Sequence, residues 1–241
     1  MAAEPPARPL EGRIALVTGA SRGIGAATAK ALAAAGAHVI LTARKTHDLE
    51  AVEEDIHQGG GSATIAPMDL AEGDGIARLA AAVAERWQRL DVLVINAAML
   101  PPLTPVAQIE PKSFSQALTL NVLATQTLLA AFDPLLRRAP AGRVIGLTSS
   151  VGAAPRAYWG AYGASKAAFD VLLDCYGQEV GGISPIRVAI LDPGATRTQM
   201  RARAYPGEDP ASVKAPEVVA ERIVALLSAD FANRSRERVE S

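Results

Sequence analysis

"IALVTGASRGIG", residues 14–25, runs from an apolar, β-branched stretch straight into Gly19, Gly23 and Gly25. Ile14 to Val17 reads as a buried strand, and Ile24 opens a segment of helical spacing. Glycines at such a strand-to-helix turn let backbone N–H groups and a helix N-terminus approach a bound anion. An ordinary glycine turn carries the same letters, so the meaning of the stretch depends on the rest of the chain.

Beyond Gly25 the pattern repeats. Apolar strand candidates recur at His38 to Thr42, Ala63 to Pro67, Val92 to Asn96, Arg143 to Thr148 and Arg187 to Leu191. Helical spacing fills Ile24 to Ala35, Asp48 to Gln58, Gly75 to Arg86, Lys112 to Arg138 and Tyr162 to Val180, with a last helix at Pro216 to Leu227. Strands as apolar as "DVLVIN" and "GRVIGL" suit a parallel sheet covered on both faces. With right-handed crossovers, the expected fold is an α/β doubly wound sheet flanked by helices. At 241 residues without an internal linker, the chain reads as one domain, with 1–10 flexible and 199–216 a substrate loop.

Composition narrows the classes of function. A formal charge of -1 with no single-sign block gives no indication of nucleic acid or of a membrane surface. The proline-bearing start "MAAEPPARPL" lacks a signal-peptide core, and the single cysteine, Cys175, suits a reducing compartment, so a cytoplasmic protein is expected. Cys175 reads as a packing residue of the Tyr162 helix. His38, His47 and His57 do not cluster as ligands, and no metal is expected.

An open parallel sheet binds ligands beyond the carboxyl ends of its strands. Asp69, Asn96 and Ser149 fall there, although a helix cap, a closed turn and a loop hydroxyl would account for each singly. "AYWGAYGASKAA", residues 157–168, then sets Tyr162 and Lys166 four apart, on one face of a helix. A phenol of ordinary pKa near 10 is a poor base unless a cation stabilises its phenolate, and Lys166 is such a cation.

Together these residues resemble the short-chain dehydrogenases/reductases, from about Arg13 to Thr198. The resemblance implies a Rossmann-type sheet, here with a shortened C-terminal strand, and an oxidoreductase moving hydride between a nicotinamide and a carbonyl or secondary alcohol. It implies a cofactor loop at Gly19, Ser21, Arg22, Gly23, Ile24 and Gly25, and an adenine contact at Asp69 with Leu70. Asn96, Ala97 and Ala98 match the family's Asn-Ala-Gly turn, with Ala98 where glycine is usual. Pro193, Gly194, Thr196 and Thr198 match the nicotinamide loop. The catalytic set carried over is Asn121, Ser149, Tyr162 and Lys166, with Ser150 as alternative to Ser149. Tyr162 and Lys166 also touch the cofactor, and Asn121 holds a water near Lys166. NADP(H) is expected over NAD(H), because Ala43 replaces the usual acid after the second strand and Arg44 comes next, with Arg22 in reach. An NADP-binding sensor without turnover, or an epimerase or dehydratase on a related fold, is the other reading.

The pocket walls, "MLPPL" at 99–103 with Tyr158, Trp159 and the loop after Thr198, favour an uncharged or amphiphilic carbonyl compound; Arg156, Arg201 and Arg203 read as solvated, with reception of an acidic substrate as the alternative. At the C-terminus only "ERVE" could pair as an edge strand, with Arg236 near the position where the family has a glycine. A homodimer is therefore expected through the Asn121 and Tyr162 helices, using Ala124, Leu128, Ala131, Ala168 and Leu172.

Overall fold

The computed structural model describes residues 8–240. Seven parallel strands, in the order β3-β2-β1-β4-β5-β6-β7, form one sheet. They are β1 (Ile14–Thr18), β2 (His38–Thr42), β3 (Ser62–Ile65), β4 (Val92–Ile95), β5 (Arg143–Leu147), β6 (Arg187–Asp192) and β7 (Ser235–Arg238). The helices are α1 (Gly23–Ala34), α2 (Thr46–Gln58), α3 (Gly75–Trp87), α4 (Pro111–Leu118), α5 (Ala124–Arg138), α6 (Ser150–Ala153), α7 (Gly160–Gly181), α8 (Gln199–Ala204) and α9 (Pro216–Ser228). The order reverses between β1 and β4, so both strand ends face one crevice.

The two-residue period of the strands divides the core in two. Ala15, Val17, Val39, Leu41, Ile145 and Leu191 face α1, α2 and α9, while Leu16, Ile40, Leu93, Val144 and Ile190 face α3, α5 and α7. Both faces are therefore dry, which is why these strands show no polar alternation.

Four expectations change. Of the stretch 1–10, residues 1–7 lie outside the described residues; Leu10 is fully buried and its N–H donates to the Ala35 carbonyl at 2.9 Å. The single helix expected over Lys112 to Arg138 is broken by a π-helical turn, Thr119–Leu123, between α4 and α5. Such a turn leaves the apolar spacing on either side intact, so periodicity does not reveal it. The last strand forms at "SRER", not "ERVE", because Arg236 and Glu237 find charged partners on opposite faces of the sheet: Asp170 of α7 and Arg222 of α9. The loop after Thr198 is partly ordered as α8, whose first turn Thr198 caps by accepting from the Arg201 N–H.

Candidate active site

The glycine turn is fixed from below by Thr18, the last residue of β1. Its buried hydroxyl donates to the Val94 carbonyl and accepts the N–H groups of Asn96 and Ala97, both at 3.0 Å. The Asn96 amide returns to the carbonyls of Thr18 and Gly19, at 2.9 and 3.3 Å. Gly19 and Gly23 lie at positive φ, 66° and 55°, where side chains are strained. A Cβ on Gly25 would stand 2.6 Å from the Asn96 amide nitrogen and closer still to the Gly19 carbonyl oxygen. Above this turn, α1 begins at Arg22 with no side-chain cap and no acidic residue in its first turn, leaving its positive end open. Ser21 and Arg22 lie on the turn, and Ile24 packs against the core.

Beside it, Asp69 accepts the Ala71 N–H at 2.9 Å and lies 3.9 Å from Arg44, so it closes its own turn and does not cap α3. Leu70 is buried beneath. Arg44 is exposed, and Arg22 reaches across to Gln199 at the start of α8, 2.8 Å away. Ala98 follows Ala97 directly beyond β4.

Tyr162 and Lys166 occupy successive turns of α7 and both are buried, at 7% and 3% exposure. The Lys166 ammonium donates to the Leu147 carbonyl at 2.7 Å and stands 4.4 Å from the centroid of the Phe169 ring. Burial pulls Lys166 down to about 8, against the pull of the Asp170 carboxylate. Burial, and then the charge of Asp192, push the Tyr162 phenol well above its ordinary range. The Lys166 charge that the sequence sets against the phenol is turned to the Leu147 carbonyl, and desolvation is the largest influence on Tyr162. Its oxygen faces the Met200 sulfur at 4.0 Å, and Trp159 lies edge-on at 6.0 Å between ring centroids.

Ser149 lies two residues beyond β5 and opens α6 in extended conformation, with Ser150 one residue on inside α6. Asn121, 1% exposed, is turned inward by the π-helical segment. Its amide is spent on Met99 and on the Ser165 hydroxyl, at 2.9–3.0 Å, and no direct hydrogen bond joins it to Lys166. Pro193 and Gly194 follow β6, with the Gly194 N–H on the Asp192 carboxylate at 2.9 Å, and the buried Thr196 hydroxyl donates to the Pro193 carbonyl. Thr198 closes over Gly23.

Arg201, expected to be solvated, is tied to Glu208 by two bonds of 2.6 and 2.7 Å and stacks on Tyr205 at 3.6 Å. Tyr205 in turn faces Trp159. Met200, Tyr205 and Glu208 lie beyond the matched motifs; only their place in the loop after Thr198 points to them. Thr18 carries a visible signal, a hydroxyl at the strand end directly before the first glycine. A cavity of about 350 Å³ lies between Arg143, Arg187 and Asn233, at the amino ends of β5 and β6 and far from this chemistry. Among the described residues no three His, Cys, Asp or Glu side chains gather as a metal would need.

The sequence pattern of the family described as short chain dehydrogenase matches residues 13–209. The chain belongs to that family. This short-chain dehydrogenase is 39% identical over 214 residues to the oxidoreductase YciK of Escherichia coli K12, covering 86% of this chain and 82% of that one. A short-chain dehydrogenase structure from Pseudomonas syringae superposes with a TM-score of 0.94 at 39% identity, covering 99% and 98% of the two chains. One from Escherichia coli CFT073, complexed with NADPH, superposes with a TM-score of 0.90 at 34% identity, covering 98% and 100%. The protein is thus an oxidoreductase by family, on the parallel sheet that its alternating strands and helices led us to expect.

Proposed function

We propose that the protein is an NADP(H)-dependent oxidoreductase acting on a carbonyl or secondary alcohol, with Tyr162 as proton donor and acceptor. The observation that carries this reading is the buried Tyr162–Lys166 pair, one helical turn apart beside an uncapped, glycine-lined helix N-terminus. The glycine turn fits a pyrophosphate, since no Cβ can stand at Gly25 and the N–H groups of α1 have no competing cap. Arg22 and Arg44 would hold the 2′-phosphate in charge-assisted bonds, in a place where Ala43 offers no carboxylate. Asp69 and Leu70 would flank the adenine, while Asn96 to Ala98 and Pro193 to Thr198 would bound the nicotinamide end.

NADPH, when bound, supplies the hydride. The chain's part is to hold the carbonyl oxygen on the Ser149 hydroxyl and to give it the Tyr162 proton. The neutral phenol enforced by burial is the form a proton donor needs. Lys166 would leave the Leu147 carbonyl to hold ribose hydroxyls and to share its charge with Tyr162, and the π turn fixes Asn121 behind them. Met200, Trp159 and Tyr205 wall the space over Tyr162, which supports an uncharged carbonyl substrate.

The test follows NADPH absorbance over a panel of carbonyl compounds. With a substrate found, Tyr162→Phe is expected to lose at least about 10²-fold in kcat with the NADPH Kd unchanged; a variant as fast as the parent overturns the role of Tyr162.

A homodimer accompanies this reading, on a face somewhat different from the one expected. Ala124 and Leu128 belong to the core, and Ala131, Ala168 and Leu172 are half-buried. The outward residues are Leu123 at 59% and Val171 at 61% exposure, with Ala164 and Cys175 also exposed, so Cys175 is not the packing residue expected. Light scattering should give about twice the 25.0 kDa chain mass; a mass near four chains contradicts the dimer.

A further inference from the structure

Two charges of β7, Arg236 and Arg238, lie against acids that neighbour the reacting pair. Gly146, Ile190 and Arg236 form one row across β5, β6 and β7, on the face that α7 covers. The missing side chain at Gly146 lets Phe169 and Leu173 close against the sheet; a Cβ there would overlap both. At the end of the row, Arg236 donates to the Asp170 carboxylate at 2.6 Å and to Asp174 at 3.0 Å. Asp170 lies one turn after Lys166 on α7, with its side chain 10% exposed. One of its oxygens takes the Arg236 bond, and the other is buried with no partner among the described residues.

A buried carboxylate is costly unless it is paired. Attaching β7 to α7 does not require it, because Asp174, a third exposed, already receives Arg236. Lys166, for its part, has no ion-pair partner within 4.0 Å among the described residues. Two residues along the same strand face, Arg238 lies 4.0 Å from Asp192, the carboxylate whose charge acts on Tyr162. The strand thus brings one guanidinium to each acid beside the reacting pair.

We propose that Asp170, whose charge Arg236 offsets in part, is a positioning residue that keeps the buried Lys166 ammonium charged and in place. The proposal rests on the reading of Tyr162 and Lys166 given above. The ionisable groups facing the cluster are Tyr162, Asp170 and Asp174 of α7, Asp192 of β6, and Arg234, Arg236 and Arg238 at β7. The π turn and α6 carry no ionisable side chain, and Lys112 of α4 is exposed.

Two substitutions should act with opposite signs. Asp170→Asn removes the negative charge that offsets desolvation, so Lys166 loses its proton at lower pH than its parent value of about 8. Arg236→Ala removes the cation that competes for Asp170, so Lys166 keeps its proton to higher pH. The full chain is titrated with ¹³Cε-labelled lysine by NMR, the Lys166 resonance being assigned from Lys166→Arg, and kcat/KM for NADPH is followed over pH in parallel. Asp170→Asn should move both the resonance midpoint and the alkaline limb down by about one pH unit, tenfold in proton affinity. Arg236→Ala should move both upward, and Arg236→Lys should restore the parent profile. The Arg236 side chain is 42% exposed, so Asp170→Asn leaves no buried unpaired charge, and Arg236→Ala is an independent second probe. Parent midpoints in both variants, with only thermal stability changed, overturn the proposal. If the midpoints move as stated in a protein whose turnover does not depend on Tyr162, the positioning stands and the catalytic reading fails.

Discussion

The turn after β1 and the segment after β6 touch each other, through Arg22 on Gln199 and Gly23 on Thr198, yet they are held together differently. In the first, a buried threonine hydroxyl and an asparagine amide tie backbone to backbone across β1 and β4, and two glycines occupy positive φ. In the second, an ion pair between Arg201 and Glu208, a stacked Tyr205 and the loose contact of Met200 with Tyr162 fix a six-residue helix. Backbone anchors tolerate no added atoms. Side-chain latches can be undone and remade one at a time, which would suit the substrate wall proposed above.

Breaking the rigid side should produce the largest effect. Gly25→Val places new carbon atoms against the Gly19 carbonyl and the Asn96 amide, two overlaps in a turn that cannot retreat. At about 1–3 kcal/mol for each overpacked contact, NADPH binding should weaken by ~10³-fold. Calorimetric titration measures the loss while circular dichroism verifies the fold; a Kd close to the parent's would mean that the turn is as adaptable as α8.

Arg22 belongs to both regions, and its substitution separates them. If it takes the 2′-phosphate, Arg22→Ala lowers the preference for NADPH over NADH by about 10- to 150-fold, the worth of one hydrogen bond to a charged group. Gln199→Ala should leave that preference intact. Fluorescence titrations with both nucleotides decide the matter: an unchanged ratio in Arg22→Ala assigns the side chain to the α8 latch alone.

The same contrast explains what can be read in the sequence. Six strands lie within two residues of their expected ends because buried parallel strands have to be continuously apolar, as Val92–Ile95 is. Gly19 and Gly25 are legible because only glycine serves at their φ or spacing. The π turn at Asn121 is not, since it inserts a local change of pitch between two stretches of unbroken helical periodicity. Nor is the true register of β7: alternating charges normally indicate a solvated edge, and nothing local reveals that Asp170, 66 residues earlier, receives Arg236. Met200 is hidden for the same reason, meeting Tyr162 across 38 residues of chain. Cys175 reads as core in the sequence but is exposed, because α7 has two apolar faces, one turned to the sheet and one outward.

The mildest change tests the adaptable side. Arg201 and Glu208 are each about a quarter exposed and joined by two bonds, and Arg201 holds the Glu208 carboxyl below its ordinary range. Its contribution is therefore complete above the usual glutamate range and is lost as pH falls through the lowered value. Glu208→Gln removes the charge but not the shape, and partly exposed pairs are worth little, so the expected cost is a rise of about 2- to 5-fold in KM for the carbonyl substrate, with NADPH Kd unaltered. The parent should reach the variant's KM as the pH is taken well below 4.5, whereas the variant's KM should stay flat across the same interval. Steady-state kinetics between neutral and acid pH read both. A Glu208→Gln effect that appears equally in NADPH binding would show that α8 and the glycine turn move as one body, erasing the distinction between backbone anchor and side-chain latch.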